Sequence, residues 1–93
     1  MHVEVRKKVW KEIDRMPIHI QLKAAEQLEN LKATNSLSEL DNVRHLEGTD
    51  EPYYRLKFTD YRFLFYYDEA TNTVNVRSLK HRKDSYKKQN LPW

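Results

Sequence analysis

The stretch Tyr53-Tyr54-Arg55-Leu56-Lys57-Phe58-Thr59-Asp60-Tyr61-Arg62-Phe63-Leu64-Phe65-Tyr66-Tyr67 decides the fold of this chain. Two runs rich in aromatic and aliphatic residues, Tyr53 to Phe58 and Tyr61 to Tyr67, flank the polar pair Thr59-Asp60. A two-residue loop between such runs closes a β-hairpin and sets Phe58 opposite Tyr61. The remaining register follows by counting: Lys57 faces Arg62, Leu56 faces Phe63, and Arg55 faces Leu64. Side chains of a strand alternate between its two faces. Arg55, Lys57 and Arg62 therefore share one side of the hairpin, and Leu56, Phe58, Tyr61, Phe63 and Phe65 share the other, which needs an apolar cover.

Working downstream, a loop over Asp68 to Thr73 pairs Tyr67 with Val74 and Phe65 with Val76. Straight alternation then carries Arg77 to the side of Arg62. Working upstream, the cover appears. Val9, Ile13 and Met16 recur at helical spacing and predict a helix from about Lys7 to Met16. Pro17 interrupts that helix and suits the entry to the next. The stripe Ile20, Ala24, Leu28 and Leu31 marks the second helix, with Lys23, Glu26, Glu29, Asn30 and Lys32 on its polar side. The opening His2-Val3-Glu4-Val5 alternates weakly, as a strand does. Leu37 and Leu40 pin the turn-rich segment around Thr34 to Glu39 to the core. A further short strand begins at Val43 and ends by Gly48, before the turn Thr49-Asp50-Glu51-Pro52. The fold class expected is α+β: a two-helix hairpin packed on one face of a small twisted antiparallel sheet.

Length and composition narrow the function classes. Ninety-three residues form one domain, residues 1–93, with one core. The absence of cysteine removes disulfides and thiolate metal sites and fits a reducing compartment. No segment approaches the roughly 20 apolar residues of a membrane span, and no apolar signal-peptide run opens the chain, so a cytoplasmic location and no membrane partner are expected. The formal charge of +3 is modest, but cations gather at the ends, in Arg6, Lys7, Lys8 and Lys11 and again from Arg77 onward. Such clustering attracts nucleic acid or an acidic protein. Like charges opposed across a hairpin, as Lys57 and Arg62 are, cost a few tenths to roughly 1 kcal/mol, which favours an anionic occupant of that face over an idle solvated surface.

The run Tyr54 to Arg62, the later Val74 to Leu79, the closing His81-Arg82-Lys83-Asp84-Ser85-Tyr86, the helix break at Met16-Pro17 and the Leu46-Glu47-Gly48 approach together resemble the RelE/ParE toxin superfamily of type II toxin–antitoxin systems, nearest to its RelE-like members. The resemblance implies a two-helix layer on a twisted sheet and a cognate antitoxin wrapped around the toxin, acidic and folding on binding over the cationic face or the helix groove. It also implies one of two activities on a shared scaffold. RelE-like members are endoribonucleases that cut messenger RNA in the ribosome without metal or small-molecule cofactor, and so inhibit translation. ParE-like members block DNA gyrase. A third outcome is an inactive antitoxin-binding module serving operator repression.

Carried onto this chain, the RelE pattern makes Lys57, Arg62, His81 and Tyr86 the catalytic candidates and Arg55, Arg77, Arg82 and Lys83 the RNA-binding ones. Arg55, Lys57 and Arg62 would hold the scissile phosphate and stabilise its added charge. Lys57, crowded by cations, is the candidate base, with His81 the alternative; His81 or Arg82 is the candidate acid. Tyr86 would stack on or orient a nucleotide. The chain departs from the pattern at Arg55, where lysine is common, at Thr59-Asp60 in place of Gly-Asp, and at Leu79-Lys80 in place of Val-Gly. His2, His19 and His45 lack metal-ligand spacing, and Trp10 and Trp93 read as packing or antitoxin contacts.

Overall fold

The computed structural model describes residues 1–81 and residue 83. Val9 and Ile13 line the inner side of α1 (Lys7–Asp14), and Ile20, Ala24, Leu28 and Leu31 that of α2 (Ile18–Ala33). These are the apolar positions that helical spacing selects, and α1 ends two residues earlier than the periodicity suggests. The corner between the helices is braced by Gln21, whose Nε2 donates to the carbonyls of Met16 and Asp14 at 3.0 and 3.3 Å. Beyond α2 a short 3-10 turn, Leu37–Glu39, carries Leu37 against the core, and Leu40 packs beside it.

The sheet has five strands: β1 (His2–Val5), β2 (Val43–His45), β3 (Tyr53–Phe58), β4 (Tyr61–Asp68) and β5 (Thr73–His81), in the spatial order β1-β5-β4-β3-β2. The helix hairpin carries the chain from one edge, β1, to the other, β2; three successive reversals then bring β5 back beside β1. β2 to β5 are antiparallel as expected, whereas β1 pairs with β5 in parallel, Val3 opposite Val74 and Val5 opposite Val76. Both helices cover the same side. There, Leu56, Phe58, Phe63, Phe65, Val74, Val76 and Leu79 interlock with the helix stripes in one buried cluster.

The hairpin register is the counted one, Lys57 opposite Arg62 and Phe58 opposite Tyr61. Its tip is strained. Thr59 has φ +51°, a left-handed conformation that costs an L-residue about 1–2 kcal/mol and crowds a β-branched side chain most. Thr59→Gly is therefore expected to stabilise the protein by about 1 kcal/mol, read as a rise of about 4–8 °C in the thermal midpoint. The next loop meets a similar demand with Asn72 at φ +52°, a residue type that tolerates it, and the Tyr67 hydroxyl donates to Asn72 Oδ1 at 2.8 Å.

One irregularity matters for function. Phe65 lies opposite Val76, but Leu64 lies opposite Ser78, so Arg77 is an extra residue, a β-bulge in β5. The bulge shifts the alternation of everything after it by one.

Candidate nucleic-acid interface

The face of the sheet turned away from the helices is built from the alternate positions of each strand. Lys57, Arg62 and Lys80 form one row across β3, β4 and β5, because Lys57 pairs with Arg62 and Arg62 with Lys80. The next row runs from Arg44 on β2 through Arg55 and Leu64 to Ser78. Arg77 belongs to the same face: it lies two residues beyond Asn75, the partner of Tyr66 and Glu4, and it lines a shallow depression with Glu4, Arg6 and Asn75. The third row is Tyr53, Tyr66 and Asn75.

Exposure differs among these cations. Lys57 and Arg44 are exposed, Arg55, Arg77 and Lys80 half-buried, and Arg62 only 7% exposed. Leu64 and Ser78 beside it are likewise buried, although neither belongs to the helix-side cluster. Arg62 is thus an engaged cation held at the centre of the face, with more exposed charges around it.

Two clamps fix the row. Lys57 lies just past the β2 ladder, and there its N–H donates to the Asn42 carbonyl at 2.9 Å while Asn42 Nδ2 donates to the Lys57 carbonyl and to Gln27 Oε1, each at 2.9 Å. The backbone under Lys57 is thereby tied to α2. On the other side, β1 ends before β5 does, leaving the edge of β5 open from residue 77. Glu12 of α1 fills it: Oε1 accepts the Leu79 N–H at 3.1 Å and Oε2 lies 3.5 Å from Lys80 Nζ. Glu12→Ala leaves a shielded N–H and an ammonium without this acceptor, and an expected loss of about 1–3 kcal/mol in urea unfolding. Glu12→Gln, which keeps the carbonyl oxygen, is expected to lose less.

No protein-family model matches the chain, and no curated protein matches it significantly. Solved structures do match. A chain of the archaeal RelE–RelB complex from Pyrococcus horikoshii is 26% identical, with a TM-score of 0.73 over 87% of this chain and 93% of that one. The RelB–RelE complex of Methanococcus jannaschii gives 26% identity and a TM-score of 0.71 over 89% and 94%. The chain is thus similar to RelE toxins over nearly its whole length. The isolated RelE toxin of E. coli shares the fold at 17% identity, with a TM-score of 0.65 over 91% of this chain and 87% of that one.

Within this RelE-like chain, the residues singled out from sequence separate into three groups. Arg55, Lys57, Arg62 and Arg77 come together on the uncovered face. His81 does not join them. It pairs with Tyr61 on the helix-side parity, its ring edge-on to Tyr61 at 5.4 Å and 84°, and its Nδ1 accepts the Lys83 N–H at 3.3 Å. Lys83 itself is exposed beyond the strand end. The cause is the bulge: straight counting from Arg77 sends 79 and 81 outward, but the extra residue turns Leu79 and His81 inward and brings Lys80 out in their place. Arg82, Tyr86 and Trp93 lie outside the described residues. Trp10, read as packing or an antitoxin contact, is 49% exposed on α1. Two cations of the face escaped the sequence reading, Lys80 through the bulge and Arg44 because β2 is only three residues long. Among the described residues, no three His, Asp or Glu gather as metal ligands, and no helix is long and apolar enough to cross a membrane.

Proposed function

We propose that this chain is the toxin of a type II toxin–antitoxin pair and acts in the cytoplasm as an endoribonuclease on ribosome-bound messenger RNA. One observation carries the reading: Lys57, Arg62 and Lys80 stand in a single row, with Arg44, Arg55 and Arg77 beside it, on the sheet face that the helices leave uncovered. Opposed like charges destabilise a sheet unless something anionic offsets them; Glu12 does so for Lys80, and a phosphodiester backbone suits the exposed Lys57 and Arg44.

The chemistry requires a base for the ribose 2′-hydroxyl, charge on the phosphorane, and a proton for the departing 5′-oxygen. Lys57 in its neutral form takes the 2′ proton as that oxygen bonds to phosphorus. Arg62, flanked by Arg55, offsets the extra negative charge of the five-coordinate phosphorus. Lys80 stands across Arg62 from Lys57, two strand spacings or roughly 10 Å away, and, once drawn from Glu12 Oε2, which lies 3.5 Å from its Nζ, is suited to protonate the 5′-oxygen as its bond to phosphorus breaks. This leaves a cyclic phosphate and a free 5′-hydroxyl. His81, on the helix-side parity, has no part in this scheme. Arg77 and Lys83 serve as phosphate contacts, as do Arg82 and Tyr86 if the family pattern extends to them. The residues use no cofactor.

The solved relatives above were crystallised with RelB antitoxins. By analogy the partner here is an acidic chain that folds over the cationic face and silences it by occupying the phosphate site. Adding the purified protein to ribosomes programmed with a defined message, with primer extension as readout, tests the activity. Cuts at fixed codon positions support it. Intact message together with blocked gyrase supercoiling supports the ParE-like alternative, and intact message with antitoxin binding alone supports an inactive module.

A further inference from the structure

The cation face reaches the edge of the sheet at β1, and two arginines meet there. Glu4 lies on that face, since it pairs with Asn75, and Asn75 with Tyr66. Arg6 is next in the alternation. Its N–H donates to the Val76 carbonyl at 3.0 Å, and that carbonyl belongs to the peptide unit from which Arg77 leaves. The bulge supplies Arg77 at this point, aiming a side chain that straight pairing would not provide. Arg6 and Arg77 consequently line one depression of about 250 Å³ together with Glu4 and Asn75. Both arginines are half-buried, and among the described residues no hydrogen bond or ion pair engages either guanidinium. Glu4, the carboxylate of the depression, lies 3.4 Å from His2 Nε2 instead. Two partly desolvated cations in one hollow disfavour each other. An anion between them reverses that, and the guanidinium fork matches phosphate oxygens two at a time.

We infer that Arg6 and Arg77 jointly hold one phosphate of the RNA strand whose scissile phosphate sits at Lys57 and Arg62. The inference rests on the RNA reading of this face and adds a direction to it. Arg77 precedes Lys80 by three residues, roughly 10 Å along β5 at the rise of a strand, on the side of β1. Farther along the same face Asp68 closes β4, and its carboxylate turns a phosphate backbone away. The strand therefore leaves the catalytic row over the β1 edge rather than along β4.

The test uses the full-length protein and a labelled single-stranded 2′-O-methyl RNA, whose blocked 2′ oxygens prevent cleavage, with fluorescence anisotropy at several salt concentrations. Removing both guanidiniums, as Arg6→Gln/Arg77→Gln, is expected to flatten the slope of log affinity against log salt by about 0.7, the share of one phosphate on a single strand. Two arginines on one phosphate are coupled. The affinity losses of Arg6→Gln and Arg77→Gln, multiplied together, are thus expected to differ from the loss in the double variant by more than about twofold. Arg6→Lys/Arg77→Lys keeps both charges and is expected to keep the slope. Lys57→Ala, the control for the RNA reading, flattens the slope by itself. A slope unchanged in Arg6→Gln/Arg77→Gln, in a protein that still responds to Lys57→Ala, overturns the site and leaves the RNA reading standing. Losses that simply multiply, or a slope flattened equally by Arg6→Lys/Arg77→Lys, refute a shared phosphate. A slope indifferent to Lys57→Ala and to Arg6→Gln/Arg77→Gln alike sinks the RNA reading and the site with it. Far-UV circular dichroism melts of each variant identify any loss that comes from unfolding.

Discussion

Lys57→Ala is expected to slow cleavage of ribosome-bound message by about 10²–10⁴-fold, the usual contribution of a positioned proton carrier, while the urea midpoint of the protein barely moves. The side chain is exposed at the end of β3, so its removal opens no cavity, and it relieves like-charge crowding against Arg62. A stability gain of a few tenths of a kcal/mol is the natural companion of that relief. Activity and stability therefore move in opposite directions, a combination that general damage to the fold does not produce. Because the Asn42 clamp holds the backbone rather than the ammonium, Lys57→Arg retains the charge and the clamp but loses a ready base, and it is expected to cleave nearly as poorly as Lys57→Ala. Cleavage at parental rate by either variant, in a single-turnover assay, would falsify the role given to Lys57.

Phe63→Ala is the opposite case. Phe63 is fully buried in the helix–sheet cluster, with its ring 5.3 Å from that of Phe58, and it lies on the strand between Arg62 and Leu64. Truncating a buried Phe costs about 3–5 kcal/mol, a large share of the 5–15 kcal/mol typical of a small domain. The expected result is a urea midpoint shifted strongly downward with an unchanged denaturant slope, and a growth phenotype lost through low abundance. A loss under about 1 kcal/mol would mean that the sheet holds together without its contact to α1 and α2.

The parts of the molecule readable from sequence are those with strict local rules. The hairpin was countable because a two-residue loop leaves no freedom in register, and every pairing from Tyr53 to Tyr66 and back follows from Phe58 meeting Tyr61. The helix stripe Ile20, Ala24, Leu28 and Leu31 was legible for the same reason: 3.6-residue spacing admits few alternatives. What escaped depends on partners distant in sequence. The parallel pairing of β1 with β5 joins residues some seventy positions apart, and nothing local to His2–Val5 distinguishes it from an antiparallel edge. The placement of His81 failed because a bulge breaks alternation. A trace of that slip is visible in the chain, since the apolar positions run 74, 76, then 79 instead of 78. Read against the pattern, Ser78 and Leu79 exchange the sides that straight counting gives them. Arg44 was missed for a different reason: three residues are too few for periodicity to register, and only its pairing with Arg55 reveals which way it faces.

That extra residue has an implication for comparing chains of this shape. Without residue 77, β5 would run in unbroken alternation, Val76 inward, Ser78 outward, Leu79 inward, and every partner across β4 from Tyr61 to Asp68 would be retained. Gaining or losing a single amino acid at this point adds or removes one positive charge yet inverts no other side chain. The charge of the surface can therefore change at this point while every other side chain keeps its side of the sheet.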